Sequence, residues 1–228
     1  MSYTKQTIIQ LKDNTSKILE ETINDNDLTD ILNALNIVMD IGEIFSEKHQ
    51  NIGFYWNEII SEMISVVHAT ISGFPRLGLS GLRNILELSC HAFYYLDHKI
   101  ELKLLINIDK KSDKYVSSLI RDDLFFTSNY IKLFNNDNKV IEAGNNKVSD
   151  FIHREYRELC DIVHGRNRTL FKKNGLKVEY NKSQFKYFER HYLNISTIIA
   201  LMYVLRFNDY SNEKHNKLAS RTNLISVL

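Results

Sequence analysis

The chain has 228 residues, 43% of them hydrophobic and 25% charged, with a formal net charge of +1. That balance describes a globular domain with one substantial core and excludes a protein that holds polyanions by bulk charge. One proline and eight glycines over this length favour long helices over a strand-rich fold.

No charged-then-apolar-then-small leader pattern and no apolar run of about 18 residues is present, so a cytoplasmic protein that does not span a membrane is expected. Cys90 and Cys160, the two cysteines, both fall inside apolar helical patterns and read as buried, reduced thiols.

In chain order, Thr4 to Ile23 carries Ile8, Leu11, Ile18 and Leu19 at helical spacing, a weakly amphipathic helix. Asn24-Asp25-Asn26-Asp27 breaks it, and a second helix runs from Leu28 to Lys48 with Ile31, Leu35, Val38, Ile41 and Phe45 on one side. After His49-Gln50-Asn51, Gly53 to Ile71 is a third, more apolar helix holding the single tryptophan, Trp56. Ser72-Gly73-Phe74 ends it, and Pro75 suits the first turn of the next helix, to about His98. Gly78 and Gly81 in that fourth helix predict close approach of a neighbour.

A shorter helix covers Glu101 to Ile108, and Ser112 to Phe134 is again amphipathic. Asn135 to Lys147 is asparagine-rich and without period, a surface loop. A helix then runs from a Ser149 cap to Gly165, a residue favoured just past helix ends. Thr169–Lys173 and Leu176–Tyr180 flank Asn174-Gly175, which predicts a two-residue β-hairpin. A long helix from Ser183 to Asn208 follows, and the tail from Asp209 to Leu228 has room for one short helix. The expectation is one all-α domain over residues 1–228, an antiparallel helical bundle with a small β-hairpin after the helix that ends at Gly165.

Standard chemical motifs are missing: no glycine-rich phosphate loop, no Cys-x-x-Cys, no His-Glu-x-x-His and no nucleophile elbow occurs. The eight histidines lack metal-ligand spacing, and His91 and His98 read as a satisfied core or surface pair. No metal and no cofactor is expected.

What remains is Tyr156-Arg157-Glu158-Leu159-Cys160-Asp161-Ile162-Val163-His164-Gly165. Arg157 and His164 are seven residues apart, roughly two turns, so both leave one helix face with Cys160 and Asp161 between them. A guanidinium, an imidazole and a carboxylate on one stripe is an unusual use of a helix whose other positions are apolar.

An arginine, six intervening residues and a histidine near the end of a helix in a small all-α domain resemble the motif of the HEPN superfamily. Leu82-Arg83-Asn84-Ile85-Leu86-Glu87-Leu88 resembles the arginine-then-glutamate helix that often precedes it. The resemblance implies metal-independent RNA cleavage, in which the ribose 2′-hydroxyl attacks the phosphodiester and a cyclic phosphate is left. It assigns Arg157 and His164 as catalytic, with Tyr156 beside them in the motif. An imidazole suits the 2′-hydroxyl proton, and a guanidinium suits the developing phosphate charge. Asp161 either orients these groups or is a solvated charge. Arg83 and Glu87, one turn apart, either form an internal ion pair or let Arg83 reach the cleft as a second phosphate ligand. Family members commonly face two motif helices across a two-fold axis, which implies a homodimer with a composite cleft.

From Arg166 to Arg190 there are eight basic residues against two acidic. Arg166, Arg168, Lys172 and Lys173 are the expected RNA contacts. Phe171, Tyr180, Phe185 and Tyr187 either stack on unpaired bases or form an apolar face. The leading reading is a HEPN-type ribonuclease of a toxin–antitoxin or phage-defence system, with an antitoxin or defence protein as partner. Set against it are a non-catalytic HEPN-like module that binds RNA or protein, and a plain intramolecular pairing of Arg157 with His164.

Overall fold

A computed structural model describes residues 4–108, 116–122, 125–134, 140–142, 148–170 and 178–227. Its helices are α1 (Lys5–Asp25), α2 (Thr29–Lys48), α3 (Gly53–Ile71), α4 (Pro75–Asp97), α5 (Lys99–Ile108), α6 (Val116–Asp122), α7 (Ser128–Lys132), α8 (Val148–Val163), α9 (Lys182–Arg206) and α10 (Glu213–Ala219). The protein is all-α in character.

Polar residues at the breaks hold the ends. Thr4 and Thr7 form a reciprocal capping box on α1, Asn181 Oδ1 accepts the Gln184 N–H at the start of α9, and Asn212 does the same for α10. Each satisfies an amide that a helix start leaves unpaired.

The centre is α9. From Ile195 to Leu205 every residue of it is buried, with the Ser196 and Thr197 hydroxyls bonded back to the helix, so it has no solvent side and must be surrounded. α2, α4, α8 and α10 pack around it. α3 lies against α2 and α4, where Trp56 stacks on Phe45 at 4.6 Å and Phe93 meets Phe45 edge-on at 5.4 Å. α3 and α4 approach as closely as the two glycines imply. A Cβ on Gly78 would stand 2.0 Å from Thr70 Oγ1 and 2.8 Å from the Val66 carbonyl oxygen, and one on Gly81 would stand 2.4 Å from Val66 Cγ1.

The structure departs from the sequence pattern in several places. The amphipathic stretch Ser112–Phe134 is not one helix; α6 and α7 are separated where Phe126 takes φ 48° and Thr127 caps α7. Phe125 and Phe126 are adjacent yet both nearly fully buried. The positive φ at Phe126 ends any helical path there, and Thr127 Oγ1 accepts the Tyr130 N–H to start α7.

The stretch 135–147 was expected to be loop throughout, but Val140–Glu142 is a strand that pairs antiparallel with Ile225–Val227. The N–G hairpin falls mostly on 171–177, outside the described residues. Its described flanks are a 3-10 turn, Arg168–Leu170, and a non-strand stretch at 178–180. α8 begins at Val148, so Ser149 sits inside the first turn and is not its cap. Cys90 is fully buried, and burial pushes its thiol up, whereas Cys160 is only half-buried.

Candidate functional site

α8 presents three differently used sides. Ile152, Tyr156, Leu159 and Ile162 turn into the core. Glu155 turns towards α9 and is 3% exposed. Its carboxylate accepts from His191 Nδ1 at 2.9 Å and from Asn194 Nδ2 at 2.9 Å. The other His191 nitrogen, Nε2, lies 3.0 Å from an Arg190 amino group. Arginine carries only donors, so Nε2 accepts and the Nδ1 proton goes to Glu155. Arg190 also pairs with Glu158 at 3.2 Å.

Towards α4 the tether is different. Arg83 pairs with Glu87 at 2.7 Å, and the Tyr156 hydroxyl lies 3.2 Å from Arg83 and 3.1 Å from Glu87. Burial pushes the Tyr156 phenol up to about 12, which keeps it a hydrogen-bond donor at neutral pH. Arg83 is therefore an internal ion-pair partner, one of the two roles open to it from sequence, and its charge is already matched by Glu87.

Arg157, on the remaining side, is exposed. The His164 amide still donates to the Cys160 carbonyl at 2.9 Å, so the helical turn carries on to His164, which is exposed too. Neither side chain has a partner among the described residues. Asp161, on the same side, accepts from Arg166 at 3.2 Å. That pair is 72% and 52% exposed, and such surface pairs contribute about 0–1 kcal/mol.

The turn beyond His164 is closed by the backbone. Gly165 takes φ 69°, its amide donates to Ile162 O at 3.1 Å, and the Arg166 amide donates to Asp161 O at 2.8 Å. This is a Schellman ending, with a glycine where an L side chain is costly. Asn167 Nδ2 then donates to the Tyr187 hydroxyl at 3.0 Å, tying the loop to α9.

Sequence reasoning missed Arg76. It projects from the first turn of α4, with a terminal nitrogen 3.5 Å from the Ile162 carbonyl. The same nitrogen would be 3.2 Å from a Cβ on Gly165, so the guanidinium lies over the residue that follows His164. Because α4 and α8 run antiparallel here, Arg76 meets the end of α8 and Arg83, seven residues on, meets Tyr156. That heptad of arginines was the available signal.

The basic stretch is less free than its composition implies. Of Arg166, Arg168, Lys182, Lys186 and Arg190, only Arg168 has no carboxylate partner among the described residues. Lys182 pairs with Asp25, Lys186 with Glu189, Arg190 with Glu158 and Arg166 with Asp161. Lys172, Lys173 and Phe171 lie outside the described residues. The other aromatics are structural: Phe185 is buried, the Tyr180 hydroxyl bonds Asp25 at 2.6 Å, and Tyr187 sits edge-on to His191 at 4.7 Å. His98 is stacked on Tyr94 at 3.7 Å with Nδ1 on the Tyr94 carbonyl, and His91 lies against Tyr55 and Tyr95.

No family model, characterised protein or solved structure matches this chain. No group of three or more His, Cys, Asp or Glu side chains able to hold a metal ion occurs among the described residues. No helix among those residues is long and apolar enough to cross a membrane.

Proposed function

We propose that the chain is a metal-independent endoribonuclease of HEPN type, with Arg157 and His164 as its reacting groups. One observation carries the reading. On a helix whose neighbouring polar residues Glu155, Tyr156, Glu158 and Asp161 all have partners, Arg157 and His164 face outward without one among the described residues. A guanidinium and an imidazole held on one rigid face suit phosphodiester chemistry. In the proposed reaction the ribose 2′-oxygen bonds to phosphorus as the bond to the 5′-oxygen breaks. His164 takes the 2′-hydroxyl proton, Arg157 neutralises the charge on the phosphoryl oxygens, and the leaving 5′-oxygen is protonated by water or by a second copy of the site.

A homodimer pairing two α8 faces would complete such a cleft, and the setting we infer is a cytoplasmic toxin–antitoxin or phage-defence system with a neutralising partner protein. The purified protein is expected to cut single-stranded RNA in EDTA, leaving 2′,3′-cyclic phosphate ends. His164→Ala and Arg157→Ala should each lower cleavage at least 100-fold with the helical circular dichroism unchanged. Cleavage that survives His164→Ala, or that requires a divalent metal, overturns the reading. The second reading is a non-catalytic module binding RNA or protein through the same face, and its protein-binding form is favoured by the ion pairing that neutralises most of the described basic stretch. Tight RNA or partner binding with no cleavage would select it.

A further inference from the structure

We propose that His153 is the general acid of this same site, supplied in trans from α8 of a second copy of the chain. The inference rests on the ribonuclease reading above and names the group that protonates the leaving 5′-oxygen. Its first support is placement. His153 stands four residues before Arg157 and eleven before His164. At about 100° per residue these offsets fall about 40° and 20° past whole turns, so the three share the outward face of α8. His153 is half-buried and, like Arg157 and His164, has no partner among the described residues.

The second support is distance. Eleven residues span about 16 Å along a helix, whereas an acid and a base that work on one phosphodiester must both come within hydrogen-bond reach of it. The two histidines of one chain therefore cannot serve the same phosphate. Histidines from two chains that face each other can.

The third support is that this face complements itself when reversed. A two-fold axis across a helix pairs it antiparallel with its copy. The midpoint of Arg157 and Asp161 is Leu159, and that of His153 and His164 lies between Glu158 and Leu159. One axis level with Leu159 thus sets Arg157 against the partner's Asp161, an opposite charge, and His164 against the partner's His153. A parallel pair would set Arg157 against its own copy. The existing pair of Asp161 with Arg166 is exposed and weak enough to exchange.

In the step itself, neutral His164 takes the 2′-hydroxyl proton as the 2′-oxygen bonds to phosphorus. The partner's His153, protonated beforehand, gives its proton to the 5′-oxygen as that bond breaks. The two imidazoles end with their protonation states exchanged, and water resets them.

The test uses the intact protein and a single-stranded RNA with a mapped cut. His153→Ala should lower cleavage about 100-fold, the size of a general-acid contribution. Replacing the leaving 5′-oxygen at that cut by sulfur, which departs without a proton, should bring the variant to within about 3-fold of wild type, while His164→Ala stays slow on both RNAs. Mixed dimers of one His153→Ala chain and one His164→Ala chain, isolated through two tags, hold one intact site in two and should recover about half of wild-type cleavage. Should His153→Ala misfold, His153→Asn takes its place in both assays. Wild-type cleavage by the His153 variant, a loss that sulfur does not relieve, or mixed dimers as slow as their parents each overturn the role of His153 and leave the ribonuclease reading to stand on His164→Ala. A wild-type protein that cuts no RNA overturns both.

Discussion

The sharpest prediction concerns Glu155, which fixes the rotation of α8 two residues before Arg157. Its carboxylate is 3% exposed and accepts two hydrogen bonds, from His191 Nδ1 and Asn194 Nδ2, each 2.9 Å long. Glu155→Ala removes both acceptors at once. His191 is fully buried, so its stranded N–H has no water to turn to, and Arg190 blocks the other ring nitrogen. An orphaned buried donor costs about 1–3 kcal/mol, and hydrogen bonds to a charged acceptor are worth about 1.5–3 kcal/mol each. We expect a loss of about 4 kcal/mol, or about 8–16 °C in Tm for a domain of this size.

The measurement is urea unfolding at pH 7, followed by circular dichroism. A double-mutant cycle separates the pair from simple loss of packing: Glu155→Leu with His191→Leu fills similar volume and leaves only the Asn194 donor unmet. The double variant should be at least 1.5 kcal/mol more stable than the sum of the singles predicts. A Glu155→Ala cost below about 1 kcal/mol, or strict additivity in the cycle, would refute the argument.

Three further outcomes follow from geometry. Gly165→Ala forces an L side chain into a left-handed conformation at φ 69° and should cost about 1–2 kcal/mol in urea unfolding. Gly78→Ala places a Cβ 2.8 Å from the Val66 backbone oxygen, which cannot move without α3, and should cost about 3 kcal/mol and lower Tm by several degrees. The third is a pH effect. Burial lowers the pKa of His215 from 6.5, with Asp40 at 2.7 Å opposing it only in part, and burial lowers that of His49 as well. Both histidines take up a proton more readily when unfolded, so their contribution is complete above about pH 6.5 and is lost as pH falls below that value. Unfolding free energy should therefore drop from pH 7 to pH 5, and His215→Gln should make the drop shallower.

The helical period exposed most of the bundle. α1 to α5, α8 and α9 could be placed from the spacing of Ile, Leu and Phe, because burial on one face writes itself into sequence at 3.6 residues per turn. The break at Phe125–Phe126 could not, since it is made by a left-handed backbone at a phenylalanine, a residue type that does not announce one. The strand pair Val140–Glu142 with Ile225–Val227 is three residues a side, too short to show alternation, and its partners are far apart in the chain.

The same division holds at the site. Arg157 and His164 were legible because both belong to one helix. Arg76, Glu155 and His191 were not, because what gives each of them meaning is a residue on another helix. Glu155 reads in sequence as an ordinary solvated glutamate and becomes a buried acceptor only once α9 lies against it.

That difference bears on how the face can work. Glu155 and Tyr156 are adjacent in sequence and anchor α8 to α9 and α4 respectively, so α8 cannot roll without breaking one of two tethers. Arg157 is the next residue and is held outward by both. A helix side carrying two basic groups is a poor surface on which to bury another apolar helix, and with a net charge of +1 the whole molecule cannot draw in a polyanion from a distance. Binding by this face must then come from a few local contacts. With Arg157 and Arg168 as the phosphate ligands, the salt slope on a single strand is about −1.4, and raising salt from about 50 to 200 mM weakens binding roughly 7-fold. A slope several times steeper would place the main RNA surface elsewhere on the chain.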